Sequence, residues 1–217
     1  MSFLDIIAQL IQGVSYTIMV TLTCSATGLL VGLIVVGLRR LSFPGLRFLL
    51  DSFTYIFRAI PVLVLLFMVY FGLPMSGLKV PPLLAMALSL GLITGAYIAE
   101  VFRGALDLVD ASEIIAAQSM GMSRLQILIS IEFPQMLRFA FPGMVNEFTT
   151  VLKYSPFAYT VGIPEITKQA MTLTATTMRG IEIYFAVGIL YFVIYRTFLA
   201  GMQLLERHYR VPGLEPK

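Results

Sequence analysis

The residues from Asp110 to Arg138, DASEIIAAQSMGMSRLQILISIEFPQMLR, space their polar groups as helix ends do. Asp110 and Glu113 have the form of a capping box, in which the first carboxylate accepts from early backbone N–H groups and the second reaches back. A helix is therefore predicted to begin at Asp110, run through EIIAAQSM and stop at Gly121, a residue that tolerates the left-handed conformation at a helix C-terminus. Ser123 and Gln126 repeat the box spacing, and the helix they open is expected to end before Pro134, because proline disfavours helix in the residue preceding it. Two short helices around a glycine elbow result. On periodicity alone such a hairpin either rests on lipid or meets a partner. Further on, ionisable residues interrupt the apolar pattern at Glu147, Lys153, Glu182 and Arg196.

The surroundings explain why those groups stand out. The chain of 217 residues is 58% hydrophobic and 12% charged, and its mean hydropathy is +0.88, far from the roughly 25% charge of soluble domains. It reads as an all-α integral membrane protein, a single domain over residues 1–217 with a loop at about 107–135. Charge-free runs from Ile6 to Leu38, Ala59 to Leu78 and Val80 to Ala99 reach the roughly 20 residues a spanning helix needs. Two further spans are expected at about Phe139 to Ile163 and Ile183 to Leu205. The first run follows acidic Asp5, is long, and is closed by Arg39 and Arg40, so it is expected to stay as a span and not be cleaved as a signal peptide. Cys24 within it is expected to be a packing residue.

Five spans put the termini on opposite sides. Ten Lys and Arg fall in the segments after spans one and three and in the tail, the last including Arg207, Arg210 and Lys217, against four on the other side: Lys79, Lys153, Lys168 and Arg179. The positive-inside rule then places the N-terminus outside and the tail, with the hairpin, in the cytoplasm. The formal charge of +3 is accounted for by anionic lipid and requires no nucleic-acid partner.

Ionised groups within a span are costly and usually face a cavity or partner. Glu147, beside Asn146, either contributes to a pathway or bridges packed helices. Pro156 removes a backbone donor and is expected to free a carbonyl near the midplane, where broken helices in transporters meet substrate; a mere packing kink is the other reading. Glu100 and Arg103 are expected to form a local ion pair, and Arg196 to snorkel or to pair with a neighbouring helix. His208 is the only histidine, and neither a metal motif nor a paired acid and base surrounds it, which argues against an intramembrane hydrolase. No internal repeat or buried acid cluster suggests a secondary transporter.

AAQSMG, nine residues and then IEFP resemble the EAA loop of ABC importer permeases, with Ala116, Ala117, Gly121, Ile131 and Pro134 in register. Ile115 stands where that loop usually has Glu. GVSYTIMVTLTCS, YIFRAIPVLVLLFMVYFGLP, GAYIAEVFRGAL and PQMLRFAFPGMVNEF extend the resemblance over most of the chain, to the permeases of polar amino-acid importers of the histidine, glutamine and arginine type. The resemblance implies a five-helix subunit in a bacterial or archaeal cytoplasmic membrane. It implies a homodimer or a heterodimer with a sister permease, two ATPase subunits, an external solute-binding protein and a polar amino acid as substrate. This chain is then not an enzyme and carries no cofactor; with no Gly-rich phosphate loop visible, ATP and Mg belong to the partner ATPase.

The same resemblance makes the hairpin the coupling helix that docks in a groove of the ATPase, with Glu113, Ile114, Ile115, Ala116, Ala117, Met120, Gly121 and Met122 as coupling residues. Ala116 and Ala117 are expected to permit close approach. Ile114 and Met120 either anchor in the ATPase or pack on their own membrane helices. Asn146, Glu147, Lys153, Tyr154, Ser155 and Pro156 become the substrate pathway, with Tyr154 where many relatives carry Asp. A hydroxyl and an aromatic face then replace a charge, and a sister chain is expected to complete the site. The alternative reading is a permease for another small amino-acid-like solute or, further off, a secondary transporter.

Overall fold

The opening apolar run does not fold as one rod. In the computed structural model, which describes residues 2–41 and 43–209, Ser2 and Asp5 cap one another at the start of α1 (Phe3–Ile11), and the chain turns at Gln12 and Gly13 into α2 (Val14–Arg39). The span expected from Ile6 to Leu38 is thus divided. A Cβ at Gly13 would lie 2.5 Å from the Ile166 backbone nitrogen, so glycine is what lets this junction rest on the backbone of a distant segment. Arg210 and Lys217, counted above for orientation, lie outside the described residues, as do the side chains of Arg207 and His208.

Among the described residues three helices are long and apolar enough to cross a membrane: α2, at a mean hydropathy of 2.2; the helix from Pro82 to Leu106, at 1.8; and Gly180–Glu206, also at 1.8. The second comprises α5 (Pro82–Met86), a wide π turn (Ala87–Gly91) and α6 (Leu92–Leu106). A fourth is available only as a bent pair. α3 (Pro44–Ala59) meets α4 (Val62–Phe67), which continues through a π turn to Ser76, at an angle of 103°. Pro61 is extended at this corner and has no N–H to continue the helix, so the expected span from Ala59 to Leu78 begins at a bend. α7 (Ala111–Ser119) and α8 (Arg124–Ile127) form the hairpin, and α9 (Phe133–Tyr154) leads into a 3₁₀ turn (Ser155–Val161). α10 (Ile166–Thr177) precedes α11 (Gly180–Tyr209). Among the described residues there is no strand.

The crossing of α2 on α6 organises the core. A Cβ on Gly28 or Gly32 would approach Thr94 Cγ2 or Ile98 Cγ2 to 2.6 Å, and one on Gly95 would meet Val31 at 2.6 Å. Small residues at such contacts let helix backbones approach where no hydrophobic drive separates protein from lipid. Cys24 is fully buried beside this crossing, in a cluster with Val20, Leu66, Met86 and Leu90. α9 covers the other flank of α6 through Phe102, Met136, Ala140 and Met144.

Candidate functional site

The hairpin closes its own ends. Asp110 Oδ1 accepts from the Ser112 N–H at 2.8 Å, which holds the Asp110 carboxyl below its ordinary value. Glu113 does not complete the expected box. Its Oε2 accepts from Gln135 Nε2 at 2.5 Å, because a tertiary donor on α9 offers an alternative to the local backbone. At the other end Gly121 takes φ 82°. Its N–H donates to the Gln118 carbonyl at 3.0 Å and that of Met122 to the Ala117 carbonyl at 3.1 Å, the paired bonds of a Schellman motif. Ser123 and Gln126 form the second box as expected, at 3.4 and 2.8 Å. The second helix, however, does not stop before Pro134. It widens into a π turn (Leu128–Glu132) and runs on as α9; a π turn shifts the bonding pattern where proline has no donor to give.

The apolar side chains of the hairpin divide by direction. Ile115 and Met120 are 62% and 84% exposed, with Ala116 and Gly121 open beside them. Ala117 is buried, and Ile114 and Met122 are half-buried. Of the two alanines expected to permit close approach, Ala116 is exposed and Ala117 packs within the chain. Leu108 and Leu125 add exposed apolar area.

The six residues around the end of α9 differ in burial and in the partners they meet. Asn146 is exposed, with its backbone carbonyl accepting from the Thr149 and Thr150 hydroxyls, and Glu147 is half-buried. Lys153 leans on α11, its Nζ 5.5 Å from the Tyr195 ring centre. Tyr154 stacks on Phe157 at 5.6 Å. Ser155 is fully buried. The helix does break at Pro156, but the carbonyl that the missing N–H would have served is not free. Leu152 O accepts from the Ser155 N–H and from its hydroxyl at 2.8 Å, so the break is satisfied locally.

Glu100 and Arg103 pair at 2.9 Å as expected, yet the pair belongs to a larger network. Arg39, whose side chain is 12% exposed, bridges Asp51 at 2.7 Å and Glu100 at 3.2 Å. Arg40 meets Glu132 at 3.1 Å, and Arg103 reaches Asp107 at 3.3 Å. Arg58 approaches Glu100 at 3.9 Å and lies over the Tyr97 ring. These groups line a cavity of about 650 Å³ where α2, α3, α6 and the π turn before α9 converge. Sequence reasoning missed this convergence because its members are scattered from 39 to 132.

Glu165 was missed as well. Fully buried, it accepts from the Thr167 and Lys168 N–H groups at 2.7 and 2.8 Å and from Tyr191 OH at 2.9 Å. The adjacent Ile166 N–H donates to Thr17 Oγ1 at 3.4 Å. An acid after IP and before a helix-forming run is an N-cap signal, but Tyr191 and Thr17 are visible only in the fold. Among the described residues no group of three or more His, Cys, Asp or Glu could hold a metal ion.

The family described as binding-protein-dependent transport system inner membrane component matches residues 26–211. The chain is 34% identical over 203 residues to the probable amino-acid permease protein YxeN of Bacillus subtilis, covering 91% of this chain and 90% of that one. It is 30% identical to the histidine/lysine/arginine/ornithine transport system permease protein HisQ of Escherichia coli, with 93% of each chain covered. A crystal structure of an amino acid ABC transporter superposes with a TM-score of 0.87 at 29% identity, covering 96% of this chain and 99% of that chain. The inward-facing MetNI methionine ABC transporter shares the fold, at a TM-score of 0.78 and 22% identity.

Proposed function

We propose, from the premise that this chain belongs to the family of binding-protein-dependent transport system inner membrane components, that it is the permease subunit of an amino-acid ABC importer and works as follows. It crosses a bacterial or archaeal cytoplasmic membrane five times, with α2, the bent α3–α4 pair, α5–α6, α9 with its 3₁₀ turn, and α11 as the spans. The N-terminus is outside and the hairpin is cytoplasmic. Two such subunits, identical or sister chains, enclose the pathway for a polar amino acid delivered by an external binding protein. Two ATPase subunits supply ATP hydrolysis.

The observation that carries this reading is the self-capped hairpin with Ile115, Ala116 and Met120 turned outward. A contact that transmits force must be stiffer than what it moves, and caps worth roughly 1 kcal/mol each supply that stiffness without help from a partner. The outward apolar groups then fill a groove on the ATPase. The pathway role is borne by Glu147, Lys153 and Tyr154, whose side chains remain partly open, and less by Ser155, whose hydroxyl is engaged. Reconstitution with the ATPase and binding protein tests the reading. Uptake of a radiolabelled amino-acid mixture should require ATP and the binding protein together; uptake by the permease alone overturns it.

A further inference from the structure

Glu132 closes the π turn through which the hairpin returns to α9, and it is 9% exposed. Its partner is Arg40, the C-cap residue just beyond α2. We propose that Arg40 and Glu132 form a strut that carries displacement of the hairpin into α2 and onward to α3 and α6, so that both are positioning residues for coupled transport. The proposal rests on the reading of the hairpin as the ATPase-coupling element.

Three features support it. First, the hairpin is tied to α9 through Glu113 and Gln135, and Gln135 follows Glu132, the residue that holds Arg40, by three residues, about one helical turn. α7 and the π turn therefore move together. Second, Arg40 adjoins Arg39, whose guanidinium grips Asp51 on α3 and Glu100 on α6 and also donates to Thr54 Oγ1 at 3.3 Å. A pull on Arg40 thus acts on the peptide that carries the junction of three helices. Third, Glu132 is buried although its partner Arg40 is exposed, their side chains being 12% and 42% open, so separating them leaves a buried carboxylate without its counter-charge. The cavity beside it leaves room for the side chains to shift without steric collision.

A staple that merely stabilises the fold would also hold Arg40 against Glu132, and the two roles differ in what fails. The full complex, with its ATPase and binding protein in proteoliposomes, is assayed for ATP hydrolysis and for uptake of a radiolabelled amino-acid mixture in the same vesicles. Glu132→Gln and Arg40→Gln should retain the ATPase subunit and its basal hydrolysis while amino acid transported per ATP falls at least fivefold. Arg40→Lys should stay within twofold of the unmodified protein, and the exchange of charges in Arg40→Glu with Glu132→Arg should recover most of the ratio. An unchanged ratio in both single variants, loss of the ATPase from either, or an exchange no better than the worse single variant overturns the strut. Met120→Asp serves as the separate control for docking. If it keeps the ATPase bound, the docking face is wrong whatever the strut variants do.

Discussion

Gly121 offers a graded test of whether stiffness in the hairpin matters. It sits at φ 82°, and nothing lies within 4 Å of where a Cβ would be. A substitution there therefore acts through the backbone alone, without a clash. Left-handed backbone costs an L-residue about 1–2 kcal/mol, and less for Asn, whose side chain bonds locally. Gly121→Ala should multiply the open population of the hairpin by about 5–30. Gly121→Pro is worse: proline fixes φ near −65° and removes the N–H that reaches Gln118 at 3.0 Å, a combined loss of about 3 kcal/mol or more. Hydrogen exchange of the amides from 111 to 127, read in the assembled complex, should rise in the order Gly, Asn, Ala, Pro. The amino acid transported per ATP should fall in the same order, with membrane insertion unaffected. Equal exchange and equal coupling in all four proteins would falsify the claim that the elbow is a stiff element.

Gly28→Val and Gly32→Val place a side chain within 2.6 Å of Thr94 and Ile98 and should each cost about 1–3 kcal/mol. Thermal unfolding in detergent should show this, with Gly37→Val, where nothing lies within 4 Å, as the unaffected comparison. Tyr154→Ala removes a ring stacked on Phe157 and a cation–π acceptor worth roughly 0.5–2 kcal/mol, so uptake should drop less than tenfold at about 1.4 kcal/mol per decade; total loss with intact assembly would place the substrate on this chain. Cysteines at Ser2 and Ser76, in a Cys24→Ser background, should react with an impermeant thiol reagent in intact cells, and one at Ser123 should not. Labelling at Ser123 reverses the orientation.

What the sequence made legible follows from the range of the interactions. The Gly121 elbow and the Ser123–Gln126 box are decided within a few residues, so spacing finds them. Glu113 has an equally good local pattern, but an amide 22 residues away captured it, beyond the roughly 11–18 residues over which a sequence pattern is read. Pro134 and Pro156 show the same limit from the other side. Each has no donor to give, as expected, yet the chain answers with a π turn in one case and with the Ser155 hydroxyl in the other. The break at Gly13 was hidden because apolar content does not distinguish one long helix from two. The small-residue faces at Gly28 and Gly32, and at Gly91 and Gly95, were present in the sequence at four-residue spacing, a signal for close helix crossing that a search for charges and caps passes over.

The two ends of α2 are held by different chemistry, and the middle is held by neither. At the far end Gly13 lies against the backbone at Glu165 and Ile166, and Thr17 accepts from Ile166; at the hairpin end Arg39 and Arg40 enter the ion network. Between them Gly28 and Gly32 receive Thr94 and Ile98 of α6, and Gly95 receives Val31, so the middle of α2 rests on α6 by close packing alone. A helix of 26 residues is about 39 Å long at 1.5 Å per residue. A shift of about 2 Å at the hairpin end, the scale of helix shifts in switching proteins, tilts such a helix by about 3° around its far end. That tilt needs no unfolding and breaks no backbone bond. It does require that the hairpin end be pulled by something firmer than the glycine contact, and the buried Glu132 against Arg40 is the contact positioned to do so.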